Sequence, residues 1–538
     1  MNNKLFLFYI LYLTSSIGWS QNRYAIYLKD KTNTPYTISQ PSQFLSARAL
    51  TRREKNNVTI SAQDLPITPG YKQSITATGA KILLVSKWLN AVVVEATPAQ
   101  LANITTLAFV QTTELVAPGQ QPAKAYNQNV TENNYRIKTG TATATQLNML
   151  GIHAMHEQNI KGNGVLIAVL DSGFPGVNTL APFSHILPQI IDQYNYVNLN
   201  NNAFVNDSHG TEVVSIIAAL KGNEFTGAAP QASFCLYVTE HVPDEYRIEE
   251  YQWLSAAERA DSTGADIINA SLGYNTFDNP AMNYTKTQLN GNTAIVTKAA
   301  TIAASKGIIV VVSVGNEGNN TWQTVTPPAD ADNILAVGSV TSAGIKSSFS
   351  STGPTADNRL KPDVAAMGSS TATISISGSV KFVSGTSEAT PLISGLAAGL
   401  LQRFPNIKAT NLLSAIKQTA SQASEPDNAL GYGIPNYGRV VTYIDTPTSI
   451  EPGRSQYIFY PNPVNQKKLE VKETNQLHFS FTSIEIINSK GVNVKTWQPT
   501  NTEKVITYEI DLHELPTGTY ILQVNTGTTT FWHKIILP

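Results

Sequence analysis

Four side chains suited to acyl-transfer chemistry stand where apolar runs end or helix-like stretches begin. Asp171 closes one run in Leu170-Asp171-Ser172-Gly173, and His209 lies in Asp207-Ser208-His209-Gly210-Thr211. Asn316 follows the run Ile308 to Val314, in Gly315-Asn316-Glu317-Gly318. Ser387 opens an apolar helix in Gly385-Thr386-Ser387-Glu388-Ala389-Thr390-Pro391. A serine hydroxyl becomes a nucleophile only when a base takes its proton. Histidine has the pKa for that task. A buried carboxylate fixes the imidazole tautomer and stabilises the imidazolium. The free N–H groups of a helix start and a nearby Asn amide can stabilise the oxyanion formed on attack. Each signal alone has an ordinary structural meaning, a turn or a helix cap. Together, in the order Asp, His, Asn, Ser within one α/β region, they argue for one site.

Composition narrows the alternatives. The chain has 538 residues, room for about three domains. Lys+Arg number 37 and Asp+Glu 38, a net charge of -1 that gives no support for nucleic-acid binding. Hydrophobic residues are 42% and charged residues 14%, enough apolar content for cores and too little charge for a disordered chain. The single cysteine, Cys235, excludes an intrachain disulfide and a Cys-based zinc site. His153, His156, His185, His241, His478, His513 and His533 show no metal-ligand spacing, and no contiguous Asp/Asn loop resembles an EF-hand. No metal ligand is assigned.

The elements that must position these groups follow from periodicity. Val165 to Leu170, Ser233 to Val238, Asp266 to Ala270, Ile308 to Val314 and Ile334 to Val337 are almost continuously apolar, separated by helix-like stretches such as Thr211 to Leu220 and Lys298 to Lys306. Strands apolar on both faces imply a parallel sheet covered by helices on both sides, so residues 141–445 read as an α/β domain. Its site belongs beyond the carboxyl ends of the strands. Residues 21–116 alternate strands with helices, including a basic stretch Ser46 to Lys55 and a Thr97-Pro98 helix start, and read as a small α+β domain. Residues 117–140 and 446–455 have linker composition. Residues 456–538 alternate apolar and polar residues in short strands, an all-β sandwich. Residues 1–20 carry Lys4, a short apolar stretch Leu5 to Leu13 and small residues at Gly18 and Ser20, an export signal. An uncleaved anchor is the other reading, which the short apolar stretch disfavours.

With these motifs in view, residues 140–440 resemble the subtilisin-like serine proteases, the subtilases. The resemblance rests on Val165 to Gly173, Ser208 to Thr211, Gly227 to Pro230, Ser271 to Gly273, Gly315 to Gly318, Phe349 to Pro354, Lys361 to Asp363 and Gly385 to Pro391. It implies that Asp171 orients, His209 is base and acid, Ser387 is the nucleophile and Asn316 an oxyanion donor. It also implies that Ser271, Leu272 and Gly273 bind the substrate backbone and form one wall of the pocket for P1, the residue before the scissile bond. Gly315 and Glu317 would belong to the opposite wall. Glu388 departs from the family, where an apolar residue is common after the nucleophile. It either faces solvent in the first helical turn or alters the serine's surroundings. Structural calcium is frequent in the family, but the chemistry requires no cofactor.

The block 21–116 resembles the inhibitory prodomains of subtilases, which implies that it occupies the cleft, with Thr112 to Val116 added as a strand beside Ser271-Leu272-Gly273. The block 456–538 is similar to the C-terminal sorting domain of the type IX secretion system of Bacteroidetes, through Tyr460-Pro461-Asn462-Pro463, Gly518 to Val524 and Lys534-Ile535-Ile536. An ordinary binding sandwich is the alternative. The expected protein is a secreted or surface-associated serine endopeptidase made as a prepro-protein. Its partners would be peptide substrates, its own prodomain and the secretion machinery. Its rivals are an idle protease scaffold serving adhesion and a maturation protease dedicated to one partner.

Overall fold

The computed structural model describes residues 21–119, 141–445, 457–473, 483–488, 492–498, 507–525 and 530–538. The expected signal 1–20, the linker 446–455 and all but the first few residues of the linker 117–140 lie outside the described residues. The chain divides into two units, Met1–Val440 and Val441–Pro538.

In the first block, β1 (Asn22–Leu28) is followed by α1 (Ala47–Lys55) and α2 (Pro69–Ala77), then β2 (Lys81–Ser86), β3 (Ala91–Ala96), α3 (Pro98–Thr105) and β4 (Val110–Ala117). The antiparallel sheet has the order β2-β3-β1-β4. Both ends of its helices follow local chemistry. Ser46 caps α1 by accepting from the Ala49 N–H, and Thr97 with Gln100 forms a capping box at α3 with Pro98 in the first turn. Alternation along the strands gives the sheet two apolar faces. Ile26, Leu28, Val92 and Val94 pack against Ile75 of α2 and Ile104 of α3. Ala25, Leu84 and Val93 join a different core, which belongs to the next domain.

That domain begins with α4 (Ala144–Met149) and α5 (Ile152–Glu157). There follow β5 (Leu166–Asp171), β6 (Ile190–Asn195), α6 (His209–Ala218), the short pair β7 (Leu220–Lys221) and β8 (Phe225–Thr226), β9 (Ser233–Val238), α7 (Ile248–Thr263) and β10 (Ile267–Ala270). Next come α8 (Ile295–Ser305), β11 (Ile309–Ser313), β12 (Leu335–Val340), β13 (Val364–Met367), the hairpin β14 (Thr371–Ile374) and β15 (Val380–Val383), α9 (Thr386–Arg403), α10 (Ala409–Gln418) and α11 (Tyr437–Asp445). Seven strands form one sheet in the order β13-β12-β11-β10-β5-β9-β6, parallel throughout. Every residue of β5, β10, β11 and β12 is buried, as strands covered on both faces require. Of the two edge strands, β6 is mostly half-buried and carries no such apolar run, whereas β13 is fully buried as well and its short run Val364 to Met367 was passed over.

The first block sits on α7. Ser46 N–H donates to the Ser262 carbonyl (2.9 Å), and the Ser46 hydroxyl donates to that of Thr263 (2.9 Å). Glu258 on α7 accepts from the Ser86 hydroxyl and from the Lys87 and Trp88 N–H groups, at 2.5, 2.9 and 3.0 Å. Two arginines of the basic stretch are buried: Arg52 reaches Asp261 and the carbonyls of Ala265 and Lys306, and Arg53 bridges Asp64 and Asp261. The expectation for Thr112 to Val116 is corrected. This stretch pairs along β1, Thr112 with Tyr27 and Glu114 with Ala25, so its ladder bonds serve the block's own sheet. Glu114 instead anchors the block through Arg247 (3.0 Å) and the Tyr251 hydroxyl (3.1 Å).

The second unit holds two antiparallel sheets, β16 (Tyr457–Tyr460), β17 (Lys468–Glu473) and β20 (Thr507–Asp511) in one, and β18 (Ser483–Asn488), β19 (Asn493–Trp497), β21 (Gly518–Asn525) and β22 (Thr530–Leu537) in the other. Alternate residues, Ile484 and Ile486 on β18 and Tyr520, Leu522 and Val524 on β21, face a shared core with Leu469, Val471 and Ile535.

Candidate active site

The carboxyl ends of β5, β10 and β11 meet the amino ends of α6 and α9. β5 ends on Asp171, which is fully buried. Its Oδ1 accepts from the Ser172 N–H (2.8 Å) and hydroxyl (3.2 Å) and lies 2.7 Å from His209 Nδ1. With Nδ1 donating, Nε2 is left as an acceptor. His209 is the first residue of α6, and its N–H donates to Asp207 Oδ1 at 2.9 Å. Asp207 also accepts from the Ser172 hydroxyl at 3.1 Å, so one Asx cap ties the helix start to the β5 turn. Position 210 must be glycine, because a Cβ there would lie 2.4 Å from the Gly173 carbonyl oxygen and 2.9 Å from Asp171 Cβ.

Ser387 is the second residue of α9 and half-buried. Four residues on, Pro391 has no N–H, so the Ser387 carbonyl lacks its helical partner. The Ser271 hydroxyl fills that place at 2.8 Å, and the Ser387 hydroxyl donates in return to the Ser271 carbonyl oxygen at 3.2 Å. The serine thus rests against the loop after β10, not against His209. Asn316 follows β11 and is exposed. Its Oδ1 accepts from the Thr386 N–H (2.9 Å) and hydroxyl (3.0 Å), which leaves Nδ2 as a free donor beside the start of α9.

Two glutamates colour this site. Glu388 is buried, and its Oε2 would lie 2.6 Å from a Cβ on Gly385. Side chains of a helix lean toward its N-terminus, which carries this carboxylate back over the serine's turn. The solvent-facing alternative is therefore wrong. Burial pushes the Glu388 carboxyl up to about 7, against the pull of His209. Glu212, on the first turn of α6, pairs with Lys381 of β15 at 2.6 Å, and burial raises its carboxyl too. For His209, burial favours the neutral ring, but Asp171, Glu388 and Glu212 outweigh it and hold the imidazole above the ordinary histidine value.

Ser271, Leu272 and Gly273 follow β10, and Gly315 and Glu317 follow the neighbouring β11, with Gly315 at φ +97° and the Glu317 N–H donating to Ser351 Oγ at 3.0 Å. Between them stands a residue that sequence reasoning missed. A Cβ on Gly273 would lie 2.2 Å from Thr326 Oγ1, and one on Gly315 2.7 Å from it. Thr326 is buried and its hydroxyl has no hydrogen-bond partner. Nothing in Gln323-Thr324-Val325-Thr326 marks that role. Asp207 was also passed over, although an Asp just before a helix start is a legible cap signal.

Three segments of the chain are similar to known protein families. Residues 162–433 match the profile of the subtilase family, residues 23–134 the peptidase S8 propeptide domain of Bacteroidota, and residues 458–538 a secretion system C-terminal sorting domain. The chain is 31% identical over 318 residues to subtilisin E of Bacillus subtilis, covering 58% of this chain and 74% of that protein. It is 33% identical over 272 residues to the subtilisin of Bacillus pumilus, covering 50% and 88%. The crystal structure of MycP1 from Mycobacterium smegmatis is similar with a TM-score of 0.45 and 22% identity, covering 60% of this chain and 90% of that one.

Proposed function

The chain belongs to the subtilase family, and from that premise we propose that it hydrolyses peptide bonds through an acyl-enzyme on Ser387. Its sorting domain marks it for export, to the medium or the cell surface. The observation that carries the mechanism is the 2.7 Å Asp171–His209 bond beside the start of α9, where Ser387 and Asn316 converge.

In the resting site the Ser387 hydroxyl is held by the Ser271 carbonyl. A substrate N–H donating to that carbonyl would compete with the hydroxyl and free it to turn to His209 Nε2. Ser387 Oγ then attacks the scissile carbonyl carbon while Nε2 takes its proton. Asp171 stabilises the imidazolium, and Glu388 adds negative potential. The oxyanion takes hydrogen bonds from Asn316 Nδ2 and from N–H groups at the start of α9. Collapse expels the amine, which leaves with the proton from His209. Water enters, gives a proton to His209 and adds to the acyl carbon; collapse then breaks the ester bond, Ser387 Oγ takes the proton back from His209, and the acid leaves. These steps call on no cofactor. We take residues 21–116 as the inhibitor of the same site, removed by cleavage within 117–140.

Kinetics on a peptide substrate test this. Ser387→Ala should lose turnover down to a small residue. Asn316→Ala should lose roughly 10²–10³-fold in kcat with little change in KM, because its donor serves the transition state. An unchanged kcat in the Asn316 variant would remove that side chain from the mechanism.

A further inference from the structure

Beside the site, and unused by its chemistry, the loop between β9 and α7 gathers three glutamates. One carboxylate oxygen each from Glu240, Glu245 and Glu249 lies within 4.8 Å of the other two. Glu240 and Glu249 are buried and Glu245 is half-buried. A calcium ion sits 2.3–2.6 Å from its oxygens, so opposed ligands can be about 5 Å apart. Magnesium, at 2.0–2.1 Å, allows only about 4 Å.

A second observation points to a ligand. Glu249 Oε1 accepts the His241 N–H at 2.6 Å, but no donor from outside the acidic cluster reaches the buried Oε2, and only 2% of the residue is exposed. No basic side chain answers the cluster among the described residues. Arg247 is taken by Glu114 and the Met282 carbonyl, and His241 Nδ1 by Asp244. The remaining contacts orient ligands, as supports around a metal do. Glu240 Oε1 accepts from the Thr239 hydroxyl (2.7 Å) and the Tyr274 hydroxyl (2.6 Å), and the Glu245 carbonyl accepts the Asp278 N–H (3.0 Å). An all-oxygen, all-carboxylate set without His or Cys selects a hard cation.

We propose that Glu240, Glu245 and Glu249 bind one calcium ion. The ligands fall within the ten residues 240–249 but lack the Asp/Asn pattern of an EF-hand loop, which is why no calcium loop was legible. The ion would join the loop after β9 to the first turn of α7 and, through Tyr274, to Ser271-Leu272-Gly273. It would therefore stiffen the wall that holds the substrate backbone.

The test uses the full-length chain carrying Ser387→Ala, which removes autolysis, after treatment with chelator. Terbium is titrated in and its emission, excited through neighbouring aromatic rings such as Tyr274, is followed. One equivalent displaced by calcium is expected, and calcium should raise Tm by mass action. Glu249→Gln and, separately, Glu245→Gln should each weaken binding by about 10–100-fold or more with unchanged circular dichroism. The half-buried Glu245 variant decides the matter if the Glu249 variant does not fold. No calcium-displaceable emission, or unchanged affinity in the folded variants, overturns the proposal. So does a Tm that rises in Glu249→Gln while calcium leaves the parent unaffected, since the carboxyls would then share protons instead. None of these readouts depends on peptidase activity.

Discussion

Glu388 adds to the field, mainly that of Asp171, that holds the His209 imidazole above the ordinary histidine value. Activity falls as pH drops through the histidine's pKa, because imidazolium cannot accept the serine proton. A negative neighbour favours imidazolium and raises that pKa, and Glu388 is one of three such neighbours. Glu388→Gln should therefore move the acid limb of kcat/KM to lower pH, an effect read from pH–rate profiles. An unmoved limb would mean that Glu388 acts only through packing. Thr326 is the second residue with a private consequence. Its side chain fills the space between Gly273 and Gly315. If that slot receives the P1 side chain, the parent should prefer small P1 residues. Thr326→Gly should raise kcat/KM for Leu or Phe relative to Ala by roughly 10–100-fold, the size of a pocket-filling effect. A peptide-library profile checks this, and an unchanged profile would place the P1 side chain elsewhere. The residues proposed to react stood out because their chemistry demands particular residue types at strand ends and helix starts. Thr326 and the burial of Glu388 were not, since both depend on chain segments far apart in sequence.

At the scale of elements, the apolar strands and the capped helices declared themselves. What local patterns concealed was which polar helices are covered. Ser46 to Lys55 reads only as a basic helical stretch, and nothing local shows that Arg52 and Arg53 are buried against α7. Conversely α7 carries Glu249, Glu250, Glu258 and Asp261, all buried. For Glu258 and Asp261 the cover is the first block. Such a face can be polar because water would solvate it once the block is gone. The edge strand β6 was hidden because it is only partly covered and lacks a long apolar run, whereas β13, as buried as the central strands, was passed over because Val364 to Met367 is short. Arg52→Ala offers a clean test of the docking, as its described partners all lie in the protease domain. It strands Asp261 beside one remaining arginine. Breaking a buried ion pair costs about 3–5 kcal/mol, or roughly two to three and a half orders of magnitude in affinity. The inhibition constant of the isolated block on the mature enzyme should rise by that much. An unchanged constant would show that α1 does not carry the docking.

For the whole molecule, the order of parts is a sequence of events. An export signal, a block seated on the protease helices, a parallel-sheet enzyme and a β-rich sorting domain describe a protein that travels before it acts. Parallel sheets form by non-local pairing and fold slowly, so a template covering α7 while the sheet assembles is physically useful. The central claim is that, after this journey, Ser387 is an activated nucleophile. It is tested most directly by treating protein recovered from the culture medium with a fluorophosphonate and locating the adduct by intact and peptide mass. The account predicts one adduct, on Ser387, confined to chains that have lost residues 21–116 and absent from a His209→Ala variant. Processed chains left unlabelled, or a Ser387→Ala variant labelled to the same extent, would contradict it.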